Sequence, residues 1–160
     1  MFMRSVLIPL LIFTVLMAAA TSAHAQQNYT TGIGIVLGEP TGIDFKHYTS
    51  RTMAIDGAMA WSFTDESSFH LHIDALWHNF DVLSREFAVT KGTLPLYFGI
   101  GGRVRFDNDE TRIGVRFPLG ISYMFDEAPI DIFFEIAPIM DLAPETELQG
   151  NAGFGFRYWF

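Results

Sequence analysis

Eight segments of this chain place apolar side chains at every second position, and no Asp, Glu, Lys or Arg breaks the apolar parity in any of them. They run over 29–38, 41–48, 52–63, 68–80, 93–106, 111–125, 130–142 and 148–160. Successive side chains of a strand point to opposite faces, so each segment reads as a strand with one wholly apolar face. The connections between them carry turn residues, such as Glu39-Pro40, Thr49-Ser50-Arg51 and Asp126-Glu127-Ala128-Pro129. Links this short join antiparallel neighbours. Ten strands would leave too few residues for each tilted span and its link, so eight is the expected number.

The two parities differ in bulk as well as polarity. One collects residues such as Ile33, Phe45, Trp61, Ile73, Phe98, Ile121, Phe134 and Phe154. The other carries Asp44, Lys46, Asp56, His70, His72, Asp74, His78, Arg103, Arg105, Arg112, Arg116, Asp131, Glu135, Asp141 and Arg157, interleaved with Gly, Ala and Ser. A soluble sandwich or lipocalin-like barrel would turn the bulky face inward. The interior of eight strands has little room beyond small side chains, and more than ten large aromatics would not fit there. The bulky face therefore points outward and the small, charged face inward. That is the inside-out pattern of an all-β, eight-stranded, antiparallel up-and-down transmembrane barrel.

The start of the chain agrees. Arg4 is followed by an apolar run from Val6 to Ala20 and by Ala23-His24-Ala25, a small-x-small cleavage site. Residues 1–25 read as a cleaved secretory signal peptide and 26–160 as the barrel. The run is shorter than the ~20 residues a spanning helix needs. Export through the periplasm to an outer membrane follows as the expected route. Removing Arg4 from the 10 basic residues leaves nine against 18 acids, which argues against nucleic acid as a partner. Cysteine is absent, so neither disulfides nor thiolate metal sites are available.

The alternating segments, the signal peptide and the closing Tyr158-Trp159-Phe160 together resemble small bacterial outer-membrane β-barrels of the OmpA and OmpX type. In that family the final aromatic strand, here Phe156, Tyr158 and Phe160, is implied to be the signal read by the barrel-assembly machinery. Gly38 to Gly42, Leu71-His72 through Trp77-His78-Asn79, Gly99 to Arg103 and the strand from Asp131 to Asp141 further resemble a family of uncharacterised outer-membrane barrels. That second resemblance implies no activity. The partners implied are outer-membrane lipids and the assembly machinery, with the barrel as a monomer.

Simple hairpin registers give the expected lumen. Asp44 falls opposite Asp56 and Asp74 lies diagonal to it, making an acidic wall; Arg105 falls opposite Arg112, flanked by Arg103 and Arg116, making a basic wall. Glu135, Asp141 and Arg157 join them. With six acids and six strong bases on the inner parity, arginine forks are expected to reach across the lumen and fill it as an ion-paired plug. His70 and His72 share a strand face and are candidate metal ligands, but two ligands without a third are few, and a hydrogen-bonded polar interior explains them as well. No metal and no cofactor is expected. A lipid-facing hydrolase would need Ser, His and an acid together. His70, His72 and His78 face inward, His47 stands by itself on the outer parity, and Ser62, Ser68 and Ser122 form no nucleophile motif, so no catalytic residue is assigned. Aromatics at 29, 77, 123, 158 and 160, and at 61, 63, 69 and 106, read as girdles at the two interfaces.

The resulting expectation is a non-catalytic barrel with a structural role in envelope integrity. A narrow pore, or ion or metal transport or sensing through the His and Arg lumen, is the alternative. Adhesin-type surface binding is the third. Twelve of the 18 acids lie in connections, where solvation and cation bridging to lipid phosphates explain them. With periplasmic termini all four outer links are short, and the longest link, 81–92, faces the periplasm unless the strand count slips near residue 85. Outer loops this short leave little surface for recognition.

Overall fold

The computed structural model describes residues 30–62, 68–107 and 110–160. The expected signal peptide, Tyr29, Phe63, the connection 64–67 and the tip at Asn108-Asp109 lie outside the described residues. The strands are β1 (Thr31–Glu39), β2 (Thr41–Tyr48), β3 (Met53–Ser62), β4 (Ser68–Asn79), β5 (Leu96–Phe106), β6 (Thr111–Arg116), β7 (Leu119–Met124), β8 (Ile130–Ala143) and β9 (Glu147–Trp159). All pair antiparallel with their neighbours, and β1 pairs with β9 along eight positions. The sheet therefore closes on itself and leaves no free edge.

The described strands number nine where eight staves are expected, and proline is the reason. β6 and β7 both pair with β5 on one side in one unbroken register, and with β8 on the other, where the register shifts by one residue between Ile113 and Gly114 and then continues from β6 into β7. Between them Pro118 has no N–H to give to the ladder. The junction stays bonded around it: Gly99 N donates to Pro118 O at 2.9 Å and Phe117 N donates to Pro138 O at 2.9 Å. The sixth stave is thus one strand from 111 to 124 with its ladder interrupted once, and the barrel has eight staves.

The parities fall as the bulk argument requires. Ile33, Phe45, Ile73, Phe98, Phe134 and Phe154 are between 44% and 64% exposed. Lys46, Asp56, Asp74, Arg103, Arg116, Asp131, Asp141 and Arg157 are buried among Ala54, Ala58, Ala60 and Ala137. A water-soluble fold would have reversed this assignment. Outer-face rings pack across strands near one rim, Trp61 tilted against Phe69 and Phe69 stacked on Phe106, and near the other, Trp77 stacked on Phe98.

The strand count does not slip near residue 85, because β4 pairs directly with β5 from Phe69↔Phe106 to Asn79↔Leu96. The link between them folds into a short helix, α1 (Val82–Glu86). It is tied to the β7–β8 turn: Gly92 N donates to Asp126 Oδ2 at 2.6 Å, and Tyr123 OH donates to Lys91 O at 2.8 Å. Gly92 has φ +72°, a left-handed conformation that glycine adopts without a Cβ penalty.

Candidate functional site

The lumen holds the chemistry of this chain, and it is built on one repeated cross-strand pattern. Gly34 on β1 pairs with Asp44 on one side and Arg157 on the other. Gly101 on β5 pairs with Asp74 and Arg116, and Gly114 on β6 with Arg103 and Asp141. In each row an arginine and an aspartate flank a glycine and meet over it. Arg157 Nε lies 3.5 Å from Asp44 Oδ2, Arg116 Nε 2.7 Å from Asp74 Oδ2, and Arg103 Nη2 2.6 Å from Asp141 Oδ1. A Cβ on Gly34 would meet Arg157 Cγ at 2.6 Å. These glycines are the floor on which the ion pairs lie.

That pattern yields a direct contrast. A Cβ on Gly101 would collide with the Asp74 carboxylate and the Ile73 carbonyl, whereas one on Gly102 meets nothing within 4 Å. Gly101→Val is expected to destabilise the folded barrel by ~1–3 kcal/mol, the usual cost of overpacking. Gly102→Val is expected to stay within ~0.5 kcal/mol, as for ordinary exposed positions. Urea titration of the two variants in the same detergent checks this, and equal midpoints would contradict the row geometry.

The expected forks between an acidic and a basic wall are present in part: Arg116 reaches Asp74, whereas Arg103 turns to Asp141 of β8, and Asp44 and Asp56 are held by Arg157 of β9. β8 supplies Asp131, Glu135 and Asp141 beside the arginines, so the acids are not confined to β2–β4. The assumed registers of the first hairpins are each off by two residues. Lys46, not Asp44, stands opposite Asp56, and Asp74 stands directly opposite Asp56 rather than diagonal to it. The turn at 49–52 is one residue pair looser than the assumed tight turn, with Thr49 N donating to Met53 O at 2.9 Å. Arg105 does pair with Arg112.

Two tiers result. In the deep tier Arg157 Nη1 lies 3.2 Å from Asp56 Oδ1 and its Nε 3.3 Å from Asp131 Oδ1, and Lys46 Nζ lies 3.5 Å from Asp56 Oδ1. Arg116 bridges Asp74 and Glu135. Near the rim Arg105 Nε donates to Asp107 Oδ1 at 2.7 Å, and Arg112 Nη1 donates to Glu147 Oε2 at 2.6 Å. Arg105 and Arg112 therefore serve acids at the rim, Asp107 in a connection and Glu147 at the start of β9. Among the described residues the expected balance of six against six becomes five buried carboxylates (Asp44, Asp56, Asp74, Asp131, Asp141), with the half-buried Glu135 beside them, and four buried cations (Lys46, Arg103, Arg116, Arg157).

The inner parity also holds large rings, which its wealth of small residues did not announce. Tyr97 pairs with Gly120, Phe133 with Gly155 and Trp159 with Gly32, so each ring covers a cross-strand glycine. The Arg157 guanidinium lies 3.8 Å from the Phe133 ring centre, and Lys46 Nζ lies 4.2 Å from that of Tyr97. Tyr48 stacks on Trp159 at 5.3 Å and packs against His78 at 4.9 Å, closing the end of the lumen that holds the termini. Lys46 and Asp131 were visible as inner-parity charges; what marks them as members of the network is their direct pairing with Asp56 and Arg157. At the opposite end a cavity of about 30 Å³ runs from Glu39 and Asn151 down to Asp44, His72 and Glu135, with room for about two waters.

The histidines separate. His70 Nε2 lies 2.9 Å from Ser68 Oγ and forms no group with His72. Among the described residues this buried Ser–His pair has no third partner, since His70 Nδ1 has no hydrogen bond there. His47 Nδ1 is 2.8 Å from Thr31 Oγ1. His72 instead joins Asp56 and Asp74, with one ligand atom from each lying within 4.8 Å of the others. On the closing strand Phe156 and Phe160 lie on the outer surface, and Tyr158 pairs with Ile33 and Ile130.

A closed sheet of eight staves with an apolar outside and a charged inside has counterparts of known structure. The N-terminal β-barrel domain of Pseudomonas aeruginosa OprF matches with a TM-score of 0.60 at 13% identity, covering 84% of this chain and all of that one. Neisserial surface protein A matches with a TM-score of 0.52 at 13% identity, covering 81% of this chain and 93% of that one. The fold is that of the small outer-membrane β-barrels. No family model and no curated relative matches the sequence. The eight staves share the fold of those barrels, with the apolar parity outward and the charged parity in the lumen.

Proposed function

We propose that this protein is exported by a cleaved signal peptide over residues 1–25 and resides in the outer membrane as a monomeric, non-catalytic barrel that contributes to envelope integrity. The observation that carries the closed, structural reading is the filling of the lumen. Three arginine–glycine–aspartate rows cross it, and the Tyr48, His78, Tyr97 and Trp159 rings close the end that would face the periplasm. The outer surface offers lipid an uncharged band, and Phe156, Tyr158 and Phe160 would present the strand end to the assembly machinery. The short hairpins at the opposite rim give an adhesin little to work with. Purified barrel in planar bilayers is expected to show no steady openings above background leak.

A narrow pore is the second reading, favoured by the cavity that descends from Glu39 to His72. Discrete, voltage-stable openings would establish it and remove the closed reading. Residence is tested separately: the mature chain is expected to fractionate with outer membranes and to shift its gel mobility on heating. Recovery as a soluble periplasmic protein without detergent would contradict it.

A further inference from the structure

We propose that Asp56, His72 and Asp74 form a lumenal site for one divalent transition-metal cation of the zinc class, reached from the outward cavity. This goes beyond the structural reading above and stands whether or not the lumen conducts. Asp74 is the direct cross-strand partner of Asp56, and His72 lies two residues before Asp74 on the same face of β4. Two carboxylates facing each other on adjacent strands repel unless a cation sits between them. Their ligand atoms and that of the imidazole already lie within 4.8 Å of one another. Tetrahedral zinc with bonds near 2.0–2.1 Å holds its ligands roughly 3.3 Å apart, so a small side-chain rotation closes the set.

Several independent observations point to a ligand. The His72 side chain is 9% exposed and that of Asp74 is fully buried, yet His72 Nδ1 and Asp74 Oδ1 have no hydrogen-bond partner. Buried polar atoms of this kind are ordinarily satisfied. Among the described residues the lumen also holds more carboxylates than cations, five buried and the half-buried Glu135 against four, so it favours a further cation. The neighbouring cations do not prevent this. Arg116 occupies Asp74 Oδ2 and also holds Glu135. Arg157 keeps Asp44 and Asp131 when Asp56 turns to the metal, and Lys46 and Arg157 reach Asp56 only at 3.5 Å and 3.2 Å. His72 lines the cavity, which supplies both a path and water for the fourth position. One imidazole with two carboxylates suits zinc, cobalt(II) or manganese(II) better than calcium or magnesium, which favour oxygen alone.

The test is competitive chelator titration of ZnCl₂ into the folded, detergent-solubilised mature barrel, with heat-shifted gel mobility confirming the fold of every variant. One zinc per barrel is expected, with calcium and magnesium unable to displace it. His72→Gln is expected to weaken binding by at least the roughly 10- to 100-fold that loss of even an outer-shell partner costs a metal site. His70→Gln is expected to bind as the parent does. Absence of stoichiometric zinc, or equal affinity in His72→Gln, overturns the site. Should His72→Gln fail to fold, cobalt(II) bound to the unaltered protein decides: an intense visible spectrum of a four-coordinate ion supports the assignment, and a pale six-coordinate spectrum or no binding overturns it.

Discussion

Arg157→Ala is expected to lower the stability of the barrel by ~3–5 kcal/mol, the cost of leaving buried charge without its partner. Arg157 is 1% exposed and stands within 3.5 Å of Asp44, Asp56 and Asp131 at once. Its removal leaves three carboxylates with Lys46 as the one cation still within 4 Å among the described residues, and the alanine also vacates the space above Gly34 and beside Phe133. Water entering from the cavity reduces the penalty; the loss of three partners together raises it. Urea-induced unfolding in phospholipid vesicles measures the effect. Arg112→Ala is the control, because its Glu147 and Glu110 partners lie at the rim in contact with water, where ion pairs contribute ~0–1 kcal/mol, and its third partner, Asp107, keeps Arg105 at 2.7 Å. Similar midpoints for the two variants would show that the deep network carries no more stability than the rim.

Phe134→Lys is expected to cost ~2–4 kcal/mol, as for a lysine at the bilayer midplane on the lipid face of a barrel. Phe134 lies midway along the barrel wall, 48% exposed, between Ile121 and Phe154. In a water-soluble barrel the same change at a half-exposed position would be nearly neutral. Leu148→Lys, on the same face but at the outer end of β9, is expected to cost ~0–1 kcal/mol, since the penalty fades toward the interface. Depth dependence measured in vesicles is therefore the signature. Equal costs at 134 and 148 would contradict a spanning band.

The walls of this barrel were legible because strand parity is a local property. Once Phe154, Phe156 and Phe160 share a side, the bulk of that side against the room inside eight staves decides which way it faces. Pro118 shows the limit of the same logic. Its segment keeps its parity from Ile113 to Tyr123, while the missing N–H divides the ladder in two. The candidate site was legible only as a roster. Asp44, Asp56, Asp74, Arg103, Arg116 and Arg157 all belong to the lumen, but their partners depend on register, and register depends on turn geometry that composition does not specify. A shift of two residues at the 49–52 turn preserves every face and changes every pair. It exchanges the expected Asp44–Asp56 opposition for Lys46–Asp56. A separate shift of two in the β3–β4 register brings Asp74 against Asp56, where His72 completes a three-ligand group.

The sequence by itself determined the class of solvent on each face, the number of staves and the cast of buried charges, because a period of two sorts side chains without reference to distant residues. Tertiary structure alone decided that arginine and aspartate meet over glycines, that Arg105 and Arg112 belong to the rim, and that Tyr97, Phe133 and Trp159 share the interior with the ions. Those outcomes depend on which residues closure brings side by side across two strands, and that alignment exists only once β1 has joined β9.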